Sequence, residues 1–301
     1  MTKRTLALLA ALGATTIYGL NHTIAKGVMP TYVQPFGFIM IRVLGATALF
    51  WGISFLGPKE RIEKKDWGRL LLCSLFGMAI NMLAFFKGLD LSTPINSAVL
   101  VTTTPIIVVI LSAFLIKEHI RFIKGLGIAT GLIGAIVLIV YGQEIRQDAP
   151  NIALGNILFL INSLFFGLYL ILTKKLVAKY HPFTLMKWLF LIGIFLNAPI
   201  ALPEFLEISW STLPFDAIWK IAFVVLGTTF CTYLFNAYAL TQLKASTVSA
   251  FVYVQPLVGI LFAVFTGKDQ LNPIKIGAAL LVLLGVYLVS KRPSPGLSEP
   301  S

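Results

Sequence analysis

Of the 301 residues, 57% are hydrophobic and only 12% are charged, about half the charged share of an ordinary soluble domain. With a mean hydropathy of +0.88, the chain lacks the polar surface to cover a water-soluble core, which excludes a soluble enzyme, a disulfide-framed secreted domain and a disordered protein. The net charge of +12 lies in short clusters between apolar runs, the pattern of positive residues retained on the cytoplasmic side of a membrane rather than that of a nucleic-acid binder.

The first apolar run covers about residues 5–26. Lys3 and Arg4 precede it as in a signal peptide, but the run continues to Ala25 and a similar segment returns later, so it reads as a retained helix. Runs of about 20 apolar residues span a bilayer. Further runs follow at 35–56, 68–88, 94–115, 122–141, 153–173, 184–202, 217–240, 246–266 and 275–290. They predict an all-α integral membrane protein with ten transmembrane helices. The loops and tails that remain average roughly ten residues, too short for a soluble domain, and no GxxxxGK[ST] phosphate loop is present. Cys73 and Cys231 sit inside apolar runs as small core side chains, with no metal-ligand spacing.

Charge bias sets the expected orientation. With the N-terminus in the cytoplasm, 17 of the 24 Lys and Arg fall on the inner side, six at outer ends, and Arg42 inside a span. The 203–216 loop, with Glu204, Glu207 and Asp216 and no Lys or Arg, falls outside. Both termini are then cytoplasmic, residues 292–301 form a flexible tail, and the expected location is the plasma (inner) membrane.

The two halves echo each other. Tyr18-Gly19-Leu20 through Lys26 returns as Phe166-Gly167-Leu168 through Lys174, at a spacing of 148. Phe36 matches Phe183, and Gly77 matches Gly227; Pro105 matches Pro256, Glu118 matches Asp269 and Gly134 matches Gly285 at a spacing of 151. Chance similarity would repeat Leu and Val, but not Gly, Pro, Lys and acidic residues in order. Residues 1–148 and 149–291 thus hold five spans each. Five is odd, so the second half enters from the opposite side, giving an inverted repeat of the kind found in secondary transporters.

The order Tyr18-Gly19-Leu20-Asn21 to Lys26, then Arg42, Pro105, Lys117-Glu118 and Gly127/Gly131/Gly134, followed by its repetition, resembles the EamA-type branch of the drug/metabolite transporter superfamily. The family commonly has Trp-Gly where this chain has Tyr18-Gly19. The resemblance implies ten helices, an inverted five-plus-five repeat, and efflux or exchange of small metabolites, often amino acids. Nucleosides, sugars and drugs are the alternative solutes, and a non-transporting receptor or scaffold is an alternative class. An intramembrane enzyme would need a nucleophile–base pair or metal cluster in the spans, which the sequence does not supply. No cofactor is expected. The expected partners are a small-molecule solute and the bilayer, with no nucleic acid, in a monomer or homodimer.

Polar groups inside spans are costly and mark candidate sites. Tyr18, Asn21 and His22 lie on the first span, Asn81 and Phe85 on the third, and Thr102 on the fourth. Asn162, Phe166 and Tyr169 share the sixth, Thr232, Tyr233 and Asn236 the eighth, and Tyr253 the ninth. A single Asn or Thr is equally explained by interhelical hydrogen bonding; the set from six spans predicts a polar cavity with an apolar wall from Phe85 and Phe166. Arg42, His22, Glu118 and Asp269 are the charge or coupling candidates, with helix-end pairing as the plainer role for the last two. Pro105 and Pro256 are expected to kink their helices. No Asp or Glu lies mid-span.

Overall fold

The computed structural model describes residues 2–116, 122–141, 148–243, 247–248 and 251–290. All regular structure among them is helical, as hydrocarbon demands: a helix satisfies its backbone polar groups within its own segment. Helix α1 is Lys3–Lys26, capped by the Thr2 hydroxyl, which accepts from the Thr5 amide. Next come α2 (Pro35–Ser54) and α3 (Lys64–Leu91). Helix α4 is made of two pieces, Pro94–Val101 and Thr104–Ile116. Then follow α5 (Phe122–Tyr141), α6 (Ile152–Val177), α7 (Pro182–Leu206) and α8 (Phe215–Gln242). Helix α9 (Val254–Phe265) follows a tight turn at Phe251–Tyr253, and α10 is Pro273–Ser290.

Among the described residues, six stretches are long and apolar enough to cross a membrane: α2, α3, Pro94–Leu111 of α4, α6, α7 and α8. Shorter apolar runs occupy Gly125–Leu138, Val254–Phe265 and Pro273–Gly285. Phe114, Phe195, Leu261 and Leu280 are exposed, a surface that lipid tails cover without the penalty water imposes.

Packing exchanges the halves consistently. Helix α1 packs on α8 and α9, while α6 packs on α3 and α4. Helix α2 packs on α7, and α5 on α10. The α5–α10 contact is made by small residues. A Cβ on Gly285 would lie 2.4 Å from the Gly131 amide nitrogen and 2.6 Å from the Gly127 carbonyl oxygen, so the two backbones touch there, as membrane helices do where glycines allow it.

The helix irregularities also recur in both halves. Leu75–Ile80 of α3 and Phe223–Cys231 of α8 are π-helical, and these segments hold the matched Gly77 and Gly227. At Gly77 a Cβ would meet the Tyr169 ring at 2.4 Å. The breaks in α4 and before α9 fall at residues 102–103 and 251–253, again matched. Pro105 and Pro256 are therefore not mid-helix kinks. Each lies in the first turn of a new helical piece, where its missing N–H costs nothing. The carbonyls freed before Pro105 are met locally, because the Thr102, Thr103 and Thr104 hydroxyls donate to the Val99, Leu100 and Val101 oxygens at 2.5, 2.7 and 2.7 Å.

Two matched lysines tie helix ends together. Lys26, at the end of α1, donates from Nζ to the carbonyl oxygens of Leu89, Asp90 and Asp148 at 2.7, 2.8 and 2.5 Å. Lys174, near the end of α6, donates to those of Leu240 and Leu243 at 2.5 and 2.8 Å. The last carbonyls of a helix have no partner inside it and carry the negative end of its dipole; here Leu89 and Asp90 end α3 and Leu240 lies in the last turn of α8. Lys26 thus links α1 to α3 at one end of the bundle, and Lys174 links α6 to α8 at the other. At the Lys174 end, the start of α3 and the loop after α6 are joined by Lys179, which contacts Asp66 and Glu63 at 2.6 Å each. There Tyr180 donates to Asp66 at 2.7 Å.

Gly285→Ala should force α5 and α10 apart and lower stability in detergent by about 1–3 kcal/mol, whereas Gly52→Ala, with nothing within 4 Å, should lose none. Equal melting temperatures for the two variants would contradict the contact. A second expectation concerns pH. Lys179, then Lys65, hold the Glu63 carboxyl below its ordinary value of 4.5, and Asp66, then Glu63, hold the Lys179 ammonium above its ordinary 10.5. Glu63 therefore stabilises the fold above about pH 4.5, an effect lost as pH falls through its lowered value. Lys179 does so below about pH 10.5, until pH rises past its raised value. Lys179→Met should lower the melting temperature at neutral pH, and the difference should shrink in acid.

Candidate functional site

Between the α1–α8–α9 group and the α3–α4–α6 group lies an internal cavity of about 50 Å³. At about 10–15 Å³ per water, it has room for a few waters. The lining is Tyr18, Asn21 and His22 from α1, Arg42 from α2, and Asn81, Met82 and Phe85 from α3. It continues with Val101, Asn162 and Phe166 from α4 and α6, Thr228 and Tyr233 from α8, and Gln255 from α9. The helix irregularities sit at this wall: Thr228 belongs to the π segment of α8, Val101 ends the first piece of α4, and Gln255 begins α9.

Arg42 is 4% exposed. Its Nε donates to Thr229 Oγ1 at 2.7 Å, and its guanidinium carbon stands 4.6 Å from the centre of the Phe86 ring. Thr229 donates in turn to the Val224 carbonyl at 2.8 Å. Among the described residues Arg42 forms no ion pair, and no Asp or Glu lines the cavity. A guanidinium keeps its proton under all ordinary conditions, so the cavity carries a positive charge without a protein counter-ion.

The remaining polar groups are held in place by neighbours. His22 Nδ1 is 2.7 Å from Ser97 Oγ, and its ring centre is 5.6 Å from that of Phe85; its Nε2 is buried without a partner, as is Thr228 Oγ1. Asn81 and Asn162 clamp α3 to α6, each side-chain amide donating to the other's backbone carbonyl, at 3.1 and 3.0 Å. Tyr233 crosses from α8 to donate to the Gly77 carbonyl at 3.0 Å. Tyr18 and Phe166 meet edge to face at 6.4 Å.

The structure thus brings Tyr18, Asn21, His22, Asn81, Phe85, Asn162, Phe166 and Tyr233 together with Arg42. Four expected wall residues lie behind the lining. Thr102 spends its hydroxyl on Val99, and Thr232 spends its own on the Thr228 carbonyl. Tyr169 packs against Gly77 and, at 6.0 Å, against Tyr233, while Asn236 is buried beside the Tyr18 hydroxyl. Asp269 is not at the cavity either. It pairs with the buried Lys275 at 3.0 Å and accepts from the Ile95 amide at 3.0 Å, anchoring the start of α4. Glu118 and the Tyr253 side chain lie outside the described residues. Met82, Val101, Thr228 and Gln255 were not foreseen from sequence. Gln255 had a legible signal, a polar side chain in an apolar span beside Pro256.

The sequence signature of the EamA-like transporter family matches residues 5–140 and again 153–291. An Archaeoglobus fulgidus protein described as an uncharacterized transporter is 28% identical over 281 residues, covering 92% of this chain and 96% of its own. The uncharacterized transporter YyaM of Bacillus subtilis is 26% identical, over 78% of this chain and 76% of its own. A probable terminal-alkyne amino-acid exporter of Streptantibioticus cattleyicolor is 23% identical, over 77% and 76%. A solved protein crystal structure superposes with a TM-score of 0.65 at 18% identity, covering 95% of this chain and 97% of its own, a likeness of fold. With the family signature occupying both halves and apolar helices throughout, this chain is a multi-pass membrane protein that belongs to the EamA-like transporter family.

Proposed function

We propose that the chain is a secondary transporter that exports or exchanges small carboxylate-bearing metabolites, foremost amino acids, across the plasma membrane by alternating access. The observation that carries this reading is Arg42, a buried cation on the cavity wall with no carboxylate beside it. An uncompensated charge in low dielectric is expensive, and a solute carboxylate is the complementary group, able to take both nitrogens of a guanidinium fork. The same charge disfavours a bare organic cation. The amino-acid exporter among the relatives agrees with this class.

Transport would proceed by rocking one helix group against the other in a ten-helix, inverted five-plus-five repeat with both termini cytoplasmic. The matched lysines support this route. Lys26 joins the groups at the end assigned to the exterior, and Lys174 joins them at the end assigned to the cytoplasm. Opening either end breaks one lysine cluster and leaves the other in place.

In proteoliposomes, Arg42→Gln should weaken uptake of an amino acid roughly ten- to a hundred-fold, since a hydrogen bond to a charged group contributes about 1.5–3 kcal/mol. Uptake equal to wild type in the folded variant would remove Arg42 from the site. The lysines are checked by a cysteine introduced at Val101 in a background lacking Cys73 and Cys231. Lys26→Met should raise its labelling by an impermeant maleimide from outside, and Lys174→Met from inside. Increased labelling from one side only in both variants would contradict the two-ended arrangement.

A further inference from the structure

A second and larger space opens where α1, α7 and α8 meet at the Lys174 end of the bundle. It measures about 590 Å³ and is lined chiefly by apolar side chains. We infer that this groove binds one anionic phospholipid, with an acyl chain along α1 and α8 and the phosphate at Lys3, Arg4 and His181. None of these three residues lines the central cavity.

The groove has the polarity of a lipid. Gly13 stands against Phe235 and Ile17 against Gly227, so α1 and α8 run antiparallel and the start of α1 lies level with the end of α8. The deep end is then Leu9 and Ala10 opposite Leu234 and Phe235, and the mouth carries Tyr238, Thr241 and His181. From Leu234 to Thr241 the wall is about 10 Å long at 1.5 Å per residue, within the roughly 15 Å depth of one leaflet's hydrocarbon. Leu6 and Leu9 are 43% and 49% exposed, so the wall faces outward, where acyl chains are.

The mouth is basic. Lys3, Leu6 and Ala10 share one stripe of α1, so the lysine's methylene stem continues the apolar wall and carries its ammonium beyond it. Arg4 is its neighbour; both are exposed, and neither forms an ion pair among the described residues. His181 Nδ1 accepts from the Phe183 amide at 3.3 Å, which leaves Nε2 as a donor. Helices α1 and α7 both begin here with no acidic residue in the first turn, so their positive dipole ends add to the field. One carboxylate is close: Glu60 accepts from the His181 amide at 2.8 Å, and Lys59 and Arg61 flank it in sequence. A phosphodiester, with one negative charge and only acceptor oxygens, is the complementary group. A choline headgroup offers the same phosphate with a cation attached, which Lys3 and Arg4 repel.

The test is native mass spectrometry of the full chain in detergent, with dioleoylphosphatidylglycerol or dioleoylphosphatidylcholine added at equal concentration. Wild type should retain one phosphatidylglycerol, on the order of ten-fold more tightly than phosphatidylcholine. Replacing both charges, Lys3→Gln with Arg4→Gln, should bring that ratio towards one. Ala10→Phe fills the deep end and leaves the charges, and should reduce retention of both lipids; Leu9→Trp repeats the filling should the first variant not fold. Equal retention of the two lipids by wild type overturns the inference. Unchanged phosphatidylglycerol retention in the folded, filled variants reduces the site to a basic surface and overturns it as well. A wild-type dimer that retains no lipid and that the filled variants break gives the groove to a second copy, with the same consequence.

Discussion

A guanidinium that forms no ion pair among the described residues, held inside a bundle of apolar helices, is the constraint around which this protein is arranged. The charge at Arg42 is costly, and the surrounding residues answer it with weaker groups: the Thr229 hydroxyl on Nε and the Phe86 ring face beneath the guanidinium plane. Neither neutralises it. Thr229 is available because α8 is π-helical at that point, so its hydroxyl reaches back to the Val224 carbonyl and turns its lone pairs to Arg42. The π segment, the arginine and the open space beside it are parts of one device, consistent with the frequent placing of such bulges at functional sites.

The helix irregularities, though not the arginine, occur in both halves. Regular α-helices pack as smooth cylinders and leave little room at their crossing, whereas a π segment or a break re-aims side chains and widens the gap. Here both kinds of irregularity recur at matched places, in α3 and α8 and at the starts of the second piece of α4 and of α9. Two of them are met by hydroxyls, the threonines before Pro105 and Tyr233 reaching from α8 to the Gly77 carbonyl of α3. Around the cavity the helix ends are tied by the ammonium groups of Lys26 and Lys174.

Much of the fold was legible because the bilayer is a simple solvent. It demands about 20 apolar residues per crossing, and the helices found at Pro35–Ser54, Phe122–Tyr141 and Pro273–Ser290 fall within a few residues of the expected runs. The cavity was partly legible. Asn21, Asn81 and Asn162 stood out because a polar side chain inside an apolar span is costly, and the structure places all three on the cavity lining, two of them also bonded between α3 and α6. Thr102 and Thr232 misled because a hydroxyl can return to a carbonyl one turn back, which periodicity does not reveal. Tyr169 was displaced by one detail, the missing Cβ at Gly77 that lets its ring slide behind the wall. The π segments left no pattern in the sequence at all, since they change backbone spacing without changing composition.

The most direct test of the central claim is an experimental structure of the protein in lipid nanodiscs with an amino acid bound. The account predicts solute density between the two helix groups, with its carboxylate in hydrogen-bonding contact with the Arg42 guanidinium. Solute density elsewhere, with Arg42 still held only by Thr229 and Phe86, would contradict it.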